Sequence, residues 1–252
     1  MNAQDLARWL KLAEGAARLG GDALASCSRG REVRSDLGRE VKIVADVVVE
    51  RVVIEALHAG SPFPILSEEA GGVPGETAGP LRWVVDPLDG SVNFARGIPL
   101  SAISIGLVDG DEPVLGVTLD PLRGELFAGI VGEGAWLDGA PIRTSEVATP
   151  REAVLCTGFP AASDFSSDAV ASFVQAVQTF RKVRLLGSAA LSLAWVACGR
   201  ADAYAERDIR LWDVAAGLAL VRAAGGAVSA EPGREALTRM VRATNGRLTW
   251  TG

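Results

Sequence analysis

The sequence predicts an α+β fold of layered sheets and helices, with an antiparallel sheet in the N-terminal half and a mixed α/β sheet in the C-terminal half. Three observations predict it. Apolar residues recur at helical spacing through much of the first sixty positions. Strand-like runs joined by Asp-Gly turns fill residues 101–139, the spacing of antiparallel hairpins. From about residue 150 strands and helices alternate, a pattern that lays helices on sheet faces.

In chain order, the opening segment places Leu6, Trp9, Leu10, Ala13, Ala16 and Ala17 on one helical face. Ser28 to Glu40, rich in charge and glycine, reads as a mobile loop or hairpin. VADVVVERVVIEALHAG is a helix with Asp46 in its first turn, an apolar face through Val49, Val53 and Leu57, and Gly60 as its stop. PILSEE is a short buried strand ending in two acids, and RWVVDPLDG a second strand that runs into Asp86, Pro87 and a glycine turn. SAISIGLVDG, EPVLGVTLD and GELFAGIVGEGAWLDG form the hairpins. Beyond them EAVLCTG, KVRLLG, ADAYAE and GAVS read as strands. DAVASFVQAVQTF, SAALSLAWVACG and WDVAAGLALVRAAGG read as helices, the last closed by Gly225 and Gly226. The change of pattern divides the chain into residues 1–148 and 149–252.

Composition narrows the function. The chain is 48% hydrophobic and 22% charged, within the globular range. No apolar run approaches the ~20 residues of a membrane span. The first helix carries Asp5 and Glu14 and lacks the apolar block of a signal peptide, so a soluble, cytoplasmic protein with no membrane partner is expected. Cys27, Cys156 and Cys198 are scattered, which suits reduced, mostly buried thiols and not a disulfide frame or zinc site. His58 is the only histidine, so one chain cannot build a two-histidine metal site. It reads as a surface or helix-end residue and not as a triad base. A net charge of −6 argues against nucleic acid as a partner.

Several acids break the rule that Asp and Glu face water. Glu68 and Glu69 follow an apolar strand, Asp86 ends Trp83-Val84-Val85, Asp89 follows three residues later, and Asp213 opens a helix that is apolar nearly all round. Burying neighbouring carboxylates is costly unless a cation joins them. With one histidine and no cysteine cluster, the donors are hard oxygens, which suit Mg²⁺. In D-P-L-D-G-S the strand delivers Asp86, Pro87 fixes a turn, and Asp89 returns to the same side with the Leu88 carbonyl between the acids. Gly90 allows close approach, and the Gly90, Ser91 and Val92 amides point at an anion as a helix begins.

Glu68-Glu69, Asp86-Pro87-Leu88-Asp89-Gly90-Ser91-Val92-Asn93-Phe94 and Trp212-Asp213-Val214-Ala215-Ala216-Gly217 together resemble the inositol monophosphatase family of the lithium-sensitive, metal-dependent phosphatases. GVTLDPLRGELF, GEGAWLDG, LGSAAL and GRADAYAE match as well, so the resemblance covers nearly the whole chain. It implies an αβαβα sandwich and hydrolysis of a small phosphate monoester by direct attack of a metal-activated water. The implied ligands of two or three Mg²⁺ ions are Glu68, Asp86, the Leu88 carbonyl, Asp89 and Asp213. Ser91 and Asp46 would act with Glu68 on the attacking water. Gly90, Ser91, Ala190 and Glu206 would contact substrate, and Glu69 would either ligate or support. Lithium inhibition and a homodimer are implied too.

An inositol or sugar monophosphate is the first expected substrate. A 3′(2′),5′-bisphosphate nucleotide, fructose 1,6-bisphosphate, histidinol phosphate and aminocyclitol phosphates follow, and a regulatory phosphate-ligand binding protein is the non-enzyme alternative. The chain departs from the family pattern at Glu40-Val41-Lys42-Ile43, where Asp-Leu-Val-Thr is common, and in the short stretch after Asn245-Gly246-Arg247-Leu248.

Overall fold

Helix α1 (Ala3–Ser26) starts at a reciprocal cap: the Asp5 amide donates to Asn2 Oδ1 at 2.9 Å, and the Asn2 amide donates back to the Asp5 carboxylate. It buries Trp9, Leu10, Ala13, Ala16 and Ala17, with Gly20 and Leu24 extending the face. The fold is a computed structural model that describes residues 2–27, 31–37, 40–73, 75, 79–159 and 165–250. Strands β1 (Val33–Leu37) and β2 (Glu40–Ile43) pair antiparallel, so the polar stretch after α1 forms a hairpin arm. Residues 28–30 and 38–39 of that stretch lie outside the described residues. Helix α2 (Val44–Gly60) buries Val49, Val53 and Leu57 as its spacing predicts, and His58 is exposed in its last turn.

The first sheet has eight strands: β3 (Ile65–Ser67), β4 (Gly71–Val73), β5 (Leu81–Asp89), β6 (Ala102–Asp109), β7 (Glu112–Asp120), β8 (Glu125–Ile130), β9 (Gly134–Leu137) and β10 (Ala140–Ile142). Their order is β10-β9-β8-β7-β6-β5-β3-β4. It is antiparallel except for β3, which runs parallel to β5 because no hairpin joins the two strands. Helices α1 and α2 cover one face, packing Ala13, Val49 and Val53 with Val85, Ile103 and Val117.

After the short helix α3 (Ser91–Arg96) and the hairpins come β11 (Val154–Thr157), α4 (Ser167–Thr179), β12 (Lys182–Leu185) and α5 (Ala189–Ala197). The chain continues through β13 (Ala203–Arg210), α6 (Leu211–Ala223), β14 (Ala227–Pro232) and β15 (Thr238–Thr244). The second sheet, ordered β12-β11-β13-β15-β14, is parallel across β12, β11 and β13 and antiparallel beyond. Strand β15 was not among the predicted elements. In T-R-M-V-R-A-T two arginines mask the alternation, yet Val241 and Ala243 face in while Met240 and Arg242 face out.

Helices α5 and α6 lie between the sheets. One apolar cluster joins Phe127 and Ala135 of the first sheet to Leu193, Ala194 and Leu218 of the helices and to Tyr204 and Val241 of the second sheet. Covered on both sides, the two helices are apolar nearly all round. Helix α4 covers the outer face of the second sheet and has no buried residue, which completes the αβαβα layering.

A row of small residues explains how close α6 comes. Val84, Gly106, Gly116 and Gly129 are register partners across β5 to β8. A Cβ on Gly106 would meet the Ala216 nitrogen at 2.9 Å, and one on Gly116 the Ala216 Cα at 2.8 Å. The α6 backbone thus sits in a groove floored by glycine, and its first turn is carried over the end of β5. The three cysteines are free; Cys156 is buried, which pushes its thiol up to about 12, while Cys27 and Cys198 are half-buried. Among the described residues no helix is long and apolar enough to cross a membrane.

Candidate active site

The site is built where β5 loses its regular pairing. Asp86 faces Ser104 and Asp89 faces Ala102, so β5 carries an extra residue and bulges at Pro87-Leu88. The turn expected at Pro87 is therefore a bulge within the strand, a position where the missing proline N–H costs no ladder bond. The chain reverses at Gly90 (φ +84°), where a Cβ would stand 2.8 Å from the Leu100 carbonyl oxygen. The bulge turns the Leu88 N–H inward to Asp86 Oδ1 at 2.9 Å, and the Leu88 carbonyl accepts the Ser91 hydroxyl at 2.9 Å. Helix α3 starts at Ser91 with no side-chain cap, leaving its first amides without helical partners.

Other elements bring acids to this loop. Asp46 in the first turn of α2 caps the Ile43 N–H through Oδ2 at 2.7 Å, and its Oδ1 accepts the Ser91 hydroxyl at 3.1 Å. Register pairs Ser67 with Val85, which sets Glu68 beside Asp86. Asp89 Oδ2 accepts the Ser188 hydroxyl at 2.6 Å and the Ala190 amide at 2.7 Å, both from the start of α5. Asn93 Nδ2 donates to the Leu100 and Leu186 carbonyls, each at 2.8 Å, tying α3 to the C-terminal half. Asp213 enters from the first turn of α6. Glu69 points to the hairpin arm, where its Oε1 pairs with Lys42 Nζ at 2.9 Å.

The electrostatics are those of crowded carboxylates. Burial, then the charges of Asp46 and Glu69, pushes Glu68 up to about 7. Burial lifts Asp46 to about 6 against the opposing Ile43 amide and Ser91 hydroxyl, and it lifts Asp89 to about 6 against Ser188 and Ala190. Asp86 is raised by burial and then by Glu68, Asp89 and Asp213; Asp213 is raised by burial and then by Asp89 and Glu68. Among the described residues no three His, Cys, Asp or Glu side chains stand in a preformed metal-binding group.

The family model for the inositol monophosphatase family matches residues 5–249. The chain belongs to the inositol monophosphatase family. It is 38% identical over 250 residues to an inositol-1-monophosphatase of Synechocystis, covering 97% of this chain and 87% of that one. It is 44% identical over 193 residues to a protein of Xylella fastidiosa named Nus factor SuhB, covering 76% and 69% of the two chains. Among solved structures, the inositol monophosphatase of Anabaena superposes with a TM-score of 0.82 at 36% identity, covering 96% of this chain and 92% of that one. The extragenic suppressor protein suhB of Bartonella henselae superposes at 0.85 with 31% identity, covering 94% and 93%.

In this inositol monophosphatase family member, Asp46 of α2, Glu68 after β3, Asp86, Leu88 and Asp89 of β5, Gly90 and Ser91 at the start of α3, and Asp213 of α6 come together. Glu206, in the middle of β13, is half-buried and electrostatically coupled to Asp89; burial, then Asp89, pushes its carboxyl up to about 8. The fully buried Tyr204 hydroxyl lies beside it without completing a well-aligned hydrogen bond. A Cβ on Gly158 would come 2.9 Å from Glu206 Cδ, so this glycine leaves room for the carboxyl. Glu206 also lines a groove of about 1160 Å³ with Phe159, Phe173, Arg207, Arg242 and Trp250. Ala190 is fully buried against Ala102 and Leu191 and touches the site through its amide bond to Asp89. Sequence reasoning assigned no role to Ser188, which both holds Asp89 and caps α5 through the Leu191 amide at 3.2 Å; a serine before an apolar helical run is the signal that marks it.

The raised acids set a pH dependence for the metal-free protein. Asp46, Glu68, Asp89 and Glu206 hold protons in the fold at pH values where the unfolded chain has released them. The fold binds more protons, so stability falls as pH rises. That contribution is complete below about pH 4 and is lost as pH rises through about 6 to 8. Melting in chelator should therefore occur at higher temperature at pH 6 than at pH 8, and millimolar Mg²⁺ should narrow the gap by competing with the protons. A melting temperature that rises from pH 6 to pH 8 in chelator would contradict this account of the acids.

Proposed function

We propose that the chain hydrolyses a small phosphate monoester, an inositol or sugar monophosphate first, with water as nucleophile. The observation that carries this reading is the convergence of buried Asp86 and Asp89 with half-buried Glu68 and Asp213, the other three raising Asp86, beside the uncapped Gly90-Ser91 helix start. The donors are all hard oxygens and fit Mg²⁺, on which this family in general depends. Glu68, Asp86, the Leu88 carbonyl, Asp89 and Asp213 would hold two or three ions. When bound, the ions would acidify a water and neutralise the phosphate charge.

The chain's own groups supply the rest. The one Ser91 hydroxyl hydrogen is shared between Asp46 Oδ1 at 3.1 Å and the Leu88 carbonyl at 2.9 Å, and the hydroxyl keeps its lone pairs for an O–H of the attacking water. Asp46, lifted to about 6, takes the proton as the new O–P bond forms. The ester P–O bond breaks on the opposite side, and the departing alkoxide takes a proton from solvent. Amides of Gly90 and Ser91 hold phosphate oxygens. Glu206 meets hydroxyls of the alcohol. Lithium inhibition, a homodimer and a cytoplasmic location belong to the same reading.

Glu206 tests the substrate class. With its carboxyl near 8, it both donates to and accepts from polyol hydroxyls at neutral pH, and it repels a second phosphate only once ionised. Glu206→Ala should raise KM for inositol 1-phosphate about tenfold, the worth of one strong hydrogen bond, and leave an aryl phosphate unaffected. Equal losses on inositol phosphate, aryl phosphate and a bisphosphorylated nucleotide would remove the polyol assignment. The relatives named Nus factor SuhB support a second reading, a regulatory binding protein. Absence of phosphate release from every substrate, with Mg²⁺ present, would favour it.

A further inference from the structure

We infer that Glu50 is a positioning residue for Glu68: one buried carboxylate oxygen fixes the backbone on both sides of Glu68 and so sets where its side chain enters the acid cluster. The inference rests on the proposed reading of Glu68 as a cation ligand.

Glu50 is 6% exposed. Its Oε1 accepts a very short hydrogen bond from the Ser67 hydroxyl, and the amides of Glu69 and Ala70 at 3.0 and 2.9 Å. Ser67 precedes Glu68 and the two amides follow it, so three donors flanking this residue converge on one oxygen. The Glu68 N–H is itself bound to the Val85 carbonyl at 3.3 Å. The turn that carries Glu68 is therefore held from the sheet on one side and from α2 on the other.

Glu50 stands four residues after Asp46, on the same face of α2. One rigid helix thus carries both Asp46, which holds the Ser91 hydroxyl, and Glu50, which holds the Glu68 turn. The separation between the water-side group and Glu68 is fixed by a single element. Such supporting hydrogen bonds are what hold a metal ligand in its productive geometry. A purely structural role would need only that the two amides be satisfied, and then Glu50 would contribute to stability alone.

The experiment is calorimetric titration of Mg²⁺ into chelator-treated, dialysed protein, with melting temperatures measured in chelator. Glu50→Ala should weaken Mg²⁺ binding about 10- to 100-fold, the range for lost supporting partners of a ligand. Glu50→Gln keeps an acceptor for the amides and should recover much of that loss. Ser67→Ala removes one of the three donors; it should give a smaller weakening in the same direction, and it keeps the inference testable if Glu50→Ala does not fold. Wild-type Mg²⁺ affinity in Glu50→Ala or, failing that variant, in Ser67→Ala, with a lowered melting temperature in chelator, would overturn the inference. Glu68→Gln separates the two levels. If it weakens Mg²⁺ binding while the Glu50 and Ser67 variants do not, only the positioning role fails; if it too binds normally, the ligand reading of Glu68 fails.

Discussion

Asp86→Asn is expected to lower kcat/KM by at least about 10²- to 10³-fold, the scale on which losing one preorganised electrostatic group costs an enzyme, while the protein stays folded. Asp86 is the carboxylate on which the others converge: burial, Glu68, Asp89 and Asp213 all raise it. Asparagine preserves its size and the acceptor for the Leu88 amide, and it removes one charge from the cluster. The melting temperature in chelator should therefore equal or exceed that of the wild type above pH 7, and Mg²⁺ should stabilise the variant less. Rate and stability should move in opposite directions, as they do when a strained functional group is removed. A variant that melts far below wild type in chelator would mean that Asp86 serves the fold.

Gly116→Ala should be among the most destabilising single-methyl changes in the chain. Its Cβ would stand inside contact distance of the Ala216 backbone, 2.8 Å from Cα, and helix backbone cannot yield as a side-chain tip can. Overpacking of this kind costs about 1–3 kcal/mol, which in a chain of this length lowers the melting temperature by about 2–12 °C. Because α6 also carries Asp213, lifting it from the sheet should weaken Mg²⁺ binding beyond the loss of stability. Gly124→Ala is the control: Gly124 has positive φ but nothing within 4 Å of where a Cβ would stand, so its cost is backbone strain without displacement of α6. Equal Mg²⁺ affinity in the Gly116 and Gly124 variants would break the proposed link between the glycine groove and the site.

The helices and the hairpin sheet were legible because their signals are local. Val49, Val53 and Leu57 mark a helix face by spacing alone, and Asp-Gly turns mark the antiparallel strands. That Asp86, Asp89 and Gly90 lie together was legible for the same reason, since one short segment carries all three. What escaped depends on contacts between distant positions. The bulge at Pro87-Leu88 is a property of pairing with β6, and Gly106, Gly116 and Gly129 look like ordinary strand glycines until their register aligns them under α6. Ser188 and Glu50 act on Asp89 and on the Glu68 turn across 99 and 17 to 20 residues of chain, a relation no spacing rule reveals. Ala190, expected to meet substrate through the motif around it, is fully buried and donates its amide to Asp89 Oδ2.

On the proposed reading, these carboxylates gather divalent cations with which a phosphate monoester is hydrolysed. That reading is tested most directly by measuring phosphate release from inositol 1-phosphate by chelator-treated protein, before and after Mg²⁺ is restored, with Asp86→Asn alongside. The account predicts no release in chelator, recovery of turnover on adding Mg²⁺, and little recovery in Asp86→Asn. Undiminished release in chelator, or full Mg²⁺-dependent turnover by Asp86→Asn, would contradict it.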